Sequence, residues 1–184
     1  MSDITKKAMV VALKQLLTEK PFNKITVLDI TNFCEINRMT FYYHFKDIYD
    51  LLEYGVMSEF AIVKEANDIT WQEQMKSIFN IALNDKSFLI NAYHSLGRDK
   101  IETYLSDIVF NLTYNVVEKE SEGMSVSIED KKFIAEFYKY ALIGIVLDWV
   151  KNNMKEDPNL ILEKMDNILN GATKTSLNRF RVDK

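Results

Sequence analysis

Residues 26–51 read TVLDITNFCEINRMTFYYHFKDIYDL, and this stretch decides the fold. Thr26 followed three residues later by Asp29 is a capping-box pair, whose side chains satisfy free N–H groups at a helix start. Val27, Ile30 and Phe33 supply apolar positions of that helix. Cys34-Glu35-Ile36 interrupts it, and Asn37, a strong N-cap, opens a further helix to about Phe45. Lys46-Asp47 starts another, with Asp47 as cap and Ile48, Leu51, Leu52, Val56, Phe60 and Val63 on its core face to about Glu65. Upstream, the spacing of Ile4, Ala8, Val11, Ala12 and Leu16 predicts a first helix over 3–19, closed by Pro21. Three helices in under 50 residues, with a three-residue turn between the second and third, make a helix-turn-helix pattern.

Downstream the chain also reads as helices. Trp71, Met75, Ile78, Phe79, Ala82 and Leu83 form one stripe, and Phe88 to Leu96 a short helix ended by Gly97. Ile101, Tyr104, Leu105, Ile108, Leu112 and Val116 form another stripe. Ser121–Ser127 is the clearest loop. Ile128–Met154 predicts a long apolar helix stopped by Asp157-Pro158, and Leu160–Phe180 a last helix with a break at Gly171. The expected fold class is all-α: a three-helix helix-turn-helix unit over 1–48 and a larger helical unit over 49–184. With 2 Pro and 5 Gly in 184 residues, a strand-rich fold with many tight turns is disfavoured.

Composition narrows the function classes. Hydrophobic residues make up 47%, enough for a sizeable core. The apolar stretch Met9–Leu13 is too short for a signal-peptide core, and no apolar run approaches the roughly 20 residues that span a bilayer. The single cysteine, Cys34, excludes an internal disulfide. A cytoplasmic protein with no membrane partner is expected. Net charge is -4, but residues 1–50 carry +1 and the remainder -5. DNA binding would therefore rest on a shaped element and not on bulk charge. The sequence offers no metal-ligand spacing, Gly-rich phosphate loop or nucleophile motif, so neither a cofactor nor an enzyme activity is expected.

The third helix carries the chemistry of a recognition element. Such a helix puts its N-terminal residues on base edges in the major groove while flanking residues hold phosphates. Arg38 suits guanine or phosphate, and Asn37 and Thr40 are short polar groups near the helix start. Tyr42, Tyr43 and His44 offer donors on rigid rings, and Lys46 adds a cation. Thr26 is first of all an N-cap. Phe41 and Phe45 read as core, and the pattern leaves room for one of the two tyrosines to pack inward.

The stretch resembles the DNA-binding signature of the TetR family of regulators, a T-V-x-D-I-A helix followed by a recognition helix ending in T-F-Y-x-x-F. Thr26, Val27, Asp29, Ile30, Asn37, Arg38, Thr40, Phe41, Tyr42, Tyr43, His44 and Phe45 carry the match, and the run from Asn37 to Glu53 is similar to a subgroup of dihydroxyacetone kinase regulators. The resemblance implies a homodimer on a near-palindromic double-stranded operator, an unknown small-molecule effector, and most often repression. It puts Thr26 on a phosphate. Three positions depart from the pattern: Glu35 where the family usually has Gly, Met39 where it often has a small residue, and Ile48 where Lys is common. Met39 would then probe the groove. The alternative reading is a helical co-regulator that acts through a protein partner with weak or lost DNA binding.

The resemblance further implies an effector cavity in the middle helices, where Tyr93, His94 and Tyr104 are polar-tipped candidates; His94 satisfied by a neighbour is the plainer reading. For the dimer, Phe137, Ala141, Gly144 and Ile145 share helical spacing on the long helix, and Ile161, Met165 and Ile168 of the last helix would complete a four-helix interface. The long helix also reads as an internal core helix.

Overall fold

In the computed structural model, which describes residues 2–64 and 70–182, the described residues form ten α-helices and no strand. The first is α1 (Ser2–Glu19). Its buried face is Met9, Ala12, Leu13 and Leu16, whereas Ile4, Ala8 and Val11 are exposed. The expected stripe was therefore rotated: two apolar rows overlap on this helix, and packing against later helices selects the second. A 3-10 turn, Phe22–Lys24, buries Phe22.

Next come α2 (Val27–Phe33), α3 (Arg38–His44) and α4 (Ile48–Lys64). The expected end of α4 at Glu65, and the side chain of Val63, lie outside the described residues. Thr26 and Asp29 close the capping box: the Asp29 N–H donates to Thr26 Oγ1 at 3.2 Å and the Thr26 N–H to Asp29 Oδ2 at 2.7 Å. Lys20 also pairs with Asp29 at 2.9 Å. Asn37 Oδ1 accepts the Met39 N–H at 2.8 Å, and Asp47 Oδ1 the Asp50 N–H at 2.9 Å.

The turn between α2 and α3 explains how Glu35 replaces glycine. Glu35 takes a left-handed φ of 53°. Its N–H donates to the Asn32 carbonyl at 3.2 Å and that of Ile36 to the Thr31 carbonyl at 3.0 Å. This double closure is a Schellman motif, normally built on Gly. Glu35 keeps its geometry at the steric cost of a Cβ in that region.

The remaining helices are α5 (Trp71–Asn84), α6 (Lys86–Leu96), α7 (Arg98–Glu120), α8 (Ile128–Lys151), α9 (Pro158–Leu169) and α10 (Ala172–Phe180). Gly97 and Gly171, at φ 86° and 72°, separate helices where the sequence predicts breaks. The long helix stops three residues short of the expected Met154. Asn153 and Met154 turn left-handed at φ 58° and 51°, and their N–H groups close a second Schellman motif on Val150 and Trp149.

One hydrophobic core runs through both parts of the chain, from Met9 and Phe41 through Leu52 and Phe88 to Met165. Gly55 in α4 lets α6 and α1 approach, since a Cβ there would lie 2.8 Å from Phe88 Cζ and 3.3 Å from a Val10 methyl. Beside it Lys14 bridges Glu59 (2.5 Å) and Asp85 (2.8 Å). Burial opposes its charge, but hydrogen bonds to Asp85 and Glu59 outweigh burial and raise the Lys14 pKa. No helix among the described residues is long and apolar enough to cross a membrane.

Candidate nucleic-acid interface

The seven residues of α3 divide cleanly. Phe41 is fully buried, 5.9 Å ring to ring from buried Phe45, and the pair pins the helix to the core. The other positions point outward or lie at the rim. Arg38, Met39 (75% exposed), Tyr42 and Tyr43 (81% exposed) face solvent, while Thr40 and His44 are half-buried. Neither tyrosine packs inward. The Tyr43 and His44 rings meet edge to face at 4.9 Å, which limits their freedom before any partner arrives. Asn37 and Lys46 are exposed at the two ends of the helix.

Thr26 is exposed one element earlier, but its hydroxyl is already engaged: it donates to Asp29 Oδ2 at 2.7 Å while accepting the Asp29 N–H. The Lys20 ammonium and the two Thr26 bonds hold the Asp29 carboxyl down at about 2. Ile48 is half-buried and packs on the core, so the position where the family commonly has Lys faces protein here. Tyr49, not anticipated from the sequence, is exposed beside it, edge-on to Phe22 at 5.0 Å. Its position at the start of α4 was the available signal.

Elsewhere the structure separates residues that the sequence grouped. Tyr93 is half-buried, and exposed His94 packs edge-on against it at 5.6 Å. The Tyr104 hydroxyl donates to Glu53 of α4, which also pairs with Lys100. Burial and the Glu53 carboxylate raise the Tyr104 pKa. None of the three lines the cavity of about 280 Å³ between α5, α7, α8 and α9, whose walls include Trp71, Leu112, Val116, Glu120, Tyr138 and Leu142. Tyr104 lies instead against α4, bonded to Glu53. Nothing in the amino-acid pattern set Glu120 apart, since an acidic run at a helix end looks like solvated surface.

The α8 residues Phe137 (65% exposed), Ala141 and Ile145 are exposed, with Phe133 and Tyr140 extending the same face. A Cβ on Gly144 would meet open space. Ile168 on α9 is 74% exposed, whereas Ile161 and Met165 are buried and lie at the floor of a groove that Ile145 and Ile168 also line. α9 turns those two inward toward α5 and α8, a choice its apolar spacing could not reveal.

A capped helix, a Schellman turn and a short helix with an exposed polar face, seated on a helical bundle, define a helix-turn-helix transcriptional regulator. Residues 69–171 match the TetR sequence family described as a transcriptional regulator C-terminal region, and the chain belongs to the TetR family of regulators. Its fold is similar to that of the dihydroxyacetone kinase operon activator DhaS, at TM-score 0.72 and 21% identity over 97% of this chain and 98% of that one. It is also similar to BioQ, solved with its double-stranded DNA operator, at TM-score 0.56 and 15% identity over 92% and 97%. NalD, a secondary repressor of the MexAB-OprM efflux pump in Pseudomonas aeruginosa, superposes at TM-score 0.56 and 13% identity over the whole of both chains. No curated protein sequence matches the chain.

Proposed function

We propose that the chain is a ligand-responsive repressor that binds a near-palindromic operator as a homodimer. The observation that carries this reading is the exposed α3 face, Arg38, Met39, Tyr42 and Tyr43, on a helix anchored by Phe41. Residues 1–48 hold DNA and 49–184 respond to effector and pair the protomers. Arg38 contacts a base edge or a phosphate, Met39 and Thr40 reach into the groove, and Asn37, Tyr42, Tyr43, His44 and Lys46 position the helix on the backbone. Thr26 serves as cap and, through its exposed edge, as a backbone contact.

A two-turn helix makes too few contacts alone. Two of them on half-sites one or more turns of DNA apart, each turn roughly 34 Å, supply the affinity. The Phe133, Phe137, Tyr140 and Ile145 face of α8, with Ile168 of α9, supports a two-fold interface through Gly144. Occupation of the operator blocks transcription, and effector binding behind α4 releases it.

The test uses promoter fragments from the protein's own locus, a salt series, and light scattering. A dimer is expected, with operator affinity falling steeply as salt rises. Gly144→Trp should give monomers with a far weaker operator complex. A wild-type monomer that binds a half-site tightly would refute the dimer, and loss of transcription on deleting the gene would make the protein an activator.

A further inference from the structure

The cations of the N-terminal helices fall into two sets. Lys7 pairs with Asp3 at 3.3 Å, Lys20 with Asp29, and Lys14 with Glu59 and Asp85. Lys6, Lys24, Arg38 and Lys46 form no ion pair among the described residues. Arg38 and Lys46 belong to α3 and its exit, and Lys24 stands just before the Thr26 cap. Lys6 lies outside that stretch, early in α1. Its ammonium sits over the Tyr54 ring, 5.2 Å from the centroid, and Tyr54 packs on Phe45 at 5.4 Å. Phe45 is the C-cap of α3, with its ring 6.4 Å from that of His44. Ring contacts thus carry the Lys6 charge to the end of the recognition helix.

The acids around this end are already engaged. Asp3 takes Lys7 and the Tyr54 hydroxyl, which donates to it at 3.2 Å. Those two lower the Asp3 pKa most, and Lys6 acts on it only through space and contributes least. Asp47 and Asp50 accept backbone N–H groups at the start of α4. Glu19 and Glu35 form no ion pair among the described residues, but Glu19 ends α1 and Glu35 lies in the turn before α3. Lys6 and Tyr54 are both half-buried, so the lysine is ordered before a partner arrives and loses less freedom on binding. An ammonium against a ring face keeps donors for a further acceptor.

We propose that Lys6 is a further DNA contact, its ammonium taking a backbone phosphate on the flank of the groove that α3 enters. A phosphate is the matching acceptor because an ammonium is a point charge without the planar fork that reads a base edge. Each protomer then touches DNA from Thr26 across α3 to the start of α1. The contact adds affinity and salt dependence and no base preference. The inference rests on the DNA-binding reading above and extends it to a helix outside the helix-turn-helix signature.

The experiment measures binding of the full chain to a promoter fragment from its own locus over a salt series. Lys6→Gln, checked for an unchanged unfolding midpoint, should make the slope of log affinity against log salt shallower by about 0.9 for each bound protomer. Preference among single-base operator variants should stay as in the wild type. Lys7→Gln removes the same charge one residue away, where Asp3 already offsets it, and should leave the slope nearly unchanged. Lys6→Arg should restore it. Methylphosphonate substitution, which neutralises one phosphate at a time, reads the contact directly. At one flanking position it should weaken the wild type and Lys7→Gln but not Lys6→Gln. Equal slope changes in Lys6→Gln and Lys7→Gln, or no phosphate at which Lys6→Gln loses sensitivity, overturn the inference while the DNA-binding reading stands. A wild-type protein that binds no fragment of its own locus overturns both.

Discussion

The helix-turn-helix and the helices behind it spend their polar side chains differently. In residues 26–50 the side-chain hydrogen bonds close within four positions, Thr26 with Asp29, Asn37 with Met39, Asp50 with Lys46 and Asp47, and the Lys20–Asp29 ion pair reaches just outside the stretch. Behind it, local caps recur at Thr70, Ser127 and Asp157, but the bonds that shape the cavity walls span far more sequence. Gln72 reaches Asp166 across 94 residues, and Tyr138 meets Ser176 across 38. The first region forms its surface from local instructions and needs the bundle only to hold it. In the second, each polar group depends on which helix arrives opposite, and one oxygen, Glu120 Oε2, ends buried without a hydrogen-bond partner among the described residues.

The comparison breaks most visibly at Phe41, the buried side chain of α3. Phe41→Ala should cost about 3–5 kcal/mol in a denaturant titration, as large truncations of a buried aromatic do. A loss below about 1 kcal/mol would mean that the recognition element stands independently of the shared core.

Arg38→Ala tests the outer face of the same helix. It should leave the unfolding midpoint unchanged yet weaken operator binding by about 1–3 kcal/mol and relax preference at one base. Binding to single-base operator variants reads this out. Tyr43→Ala should instead weaken all variants about equally, as loss of a backbone contact does. An unchanged preference profile in Arg38→Ala would reassign that residue to a phosphate.

The two Schellman turns compare the regions directly. Glu35 and Asn153 hold the same left-handed position after α2 and α8. Glu35→Gly should stabilise the protein by roughly 1 kcal/mol by relieving the Cβ strain. Asn153→Gly should gain less, because Asn tolerates this conformation better. Equal gains in thermal unfolding would show that the turns carry the same strain.

The smallest effect is the pH dependence of the capping box. Asp29 titrates at about 2 against an ordinary 3.8. A lowered folded-state value means that its stabilisation is complete above about pH 4 and fades as pH falls toward 2. Because the pair is partly exposed, that contribution amounts to a few tenths of a kcal/mol. An NMR titration should find the Asp29 midpoint low and moving back up in Lys20→Ala; a midpoint indifferent to Lys20 would leave the lowering to Thr26 alone.

What the amino-acid order determined by itself is everything that closes over a few residues. The Thr26–Asp29 box, the Asn37 and Asp47 caps and the Gly97 and Gly171 breaks all follow from spacing and residue type, because their partners are neighbours in the chain. Tertiary structure decided which apolar row of α1 turns inward, since Ile4–Ala8–Val11 and Met9–Ala12–Leu16 are both plausible stripes until α4 and α6 pack on one. It decided that Ile161 and Met165 are core while Ile168 is surface, that Tyr104 answers to Glu53, and that the cavity forms around Glu120. Periodicity fixes a helix and the angular positions of its side chains, but the direction of burial is set by what lies opposite, and that is contributed by residues far away in the chain.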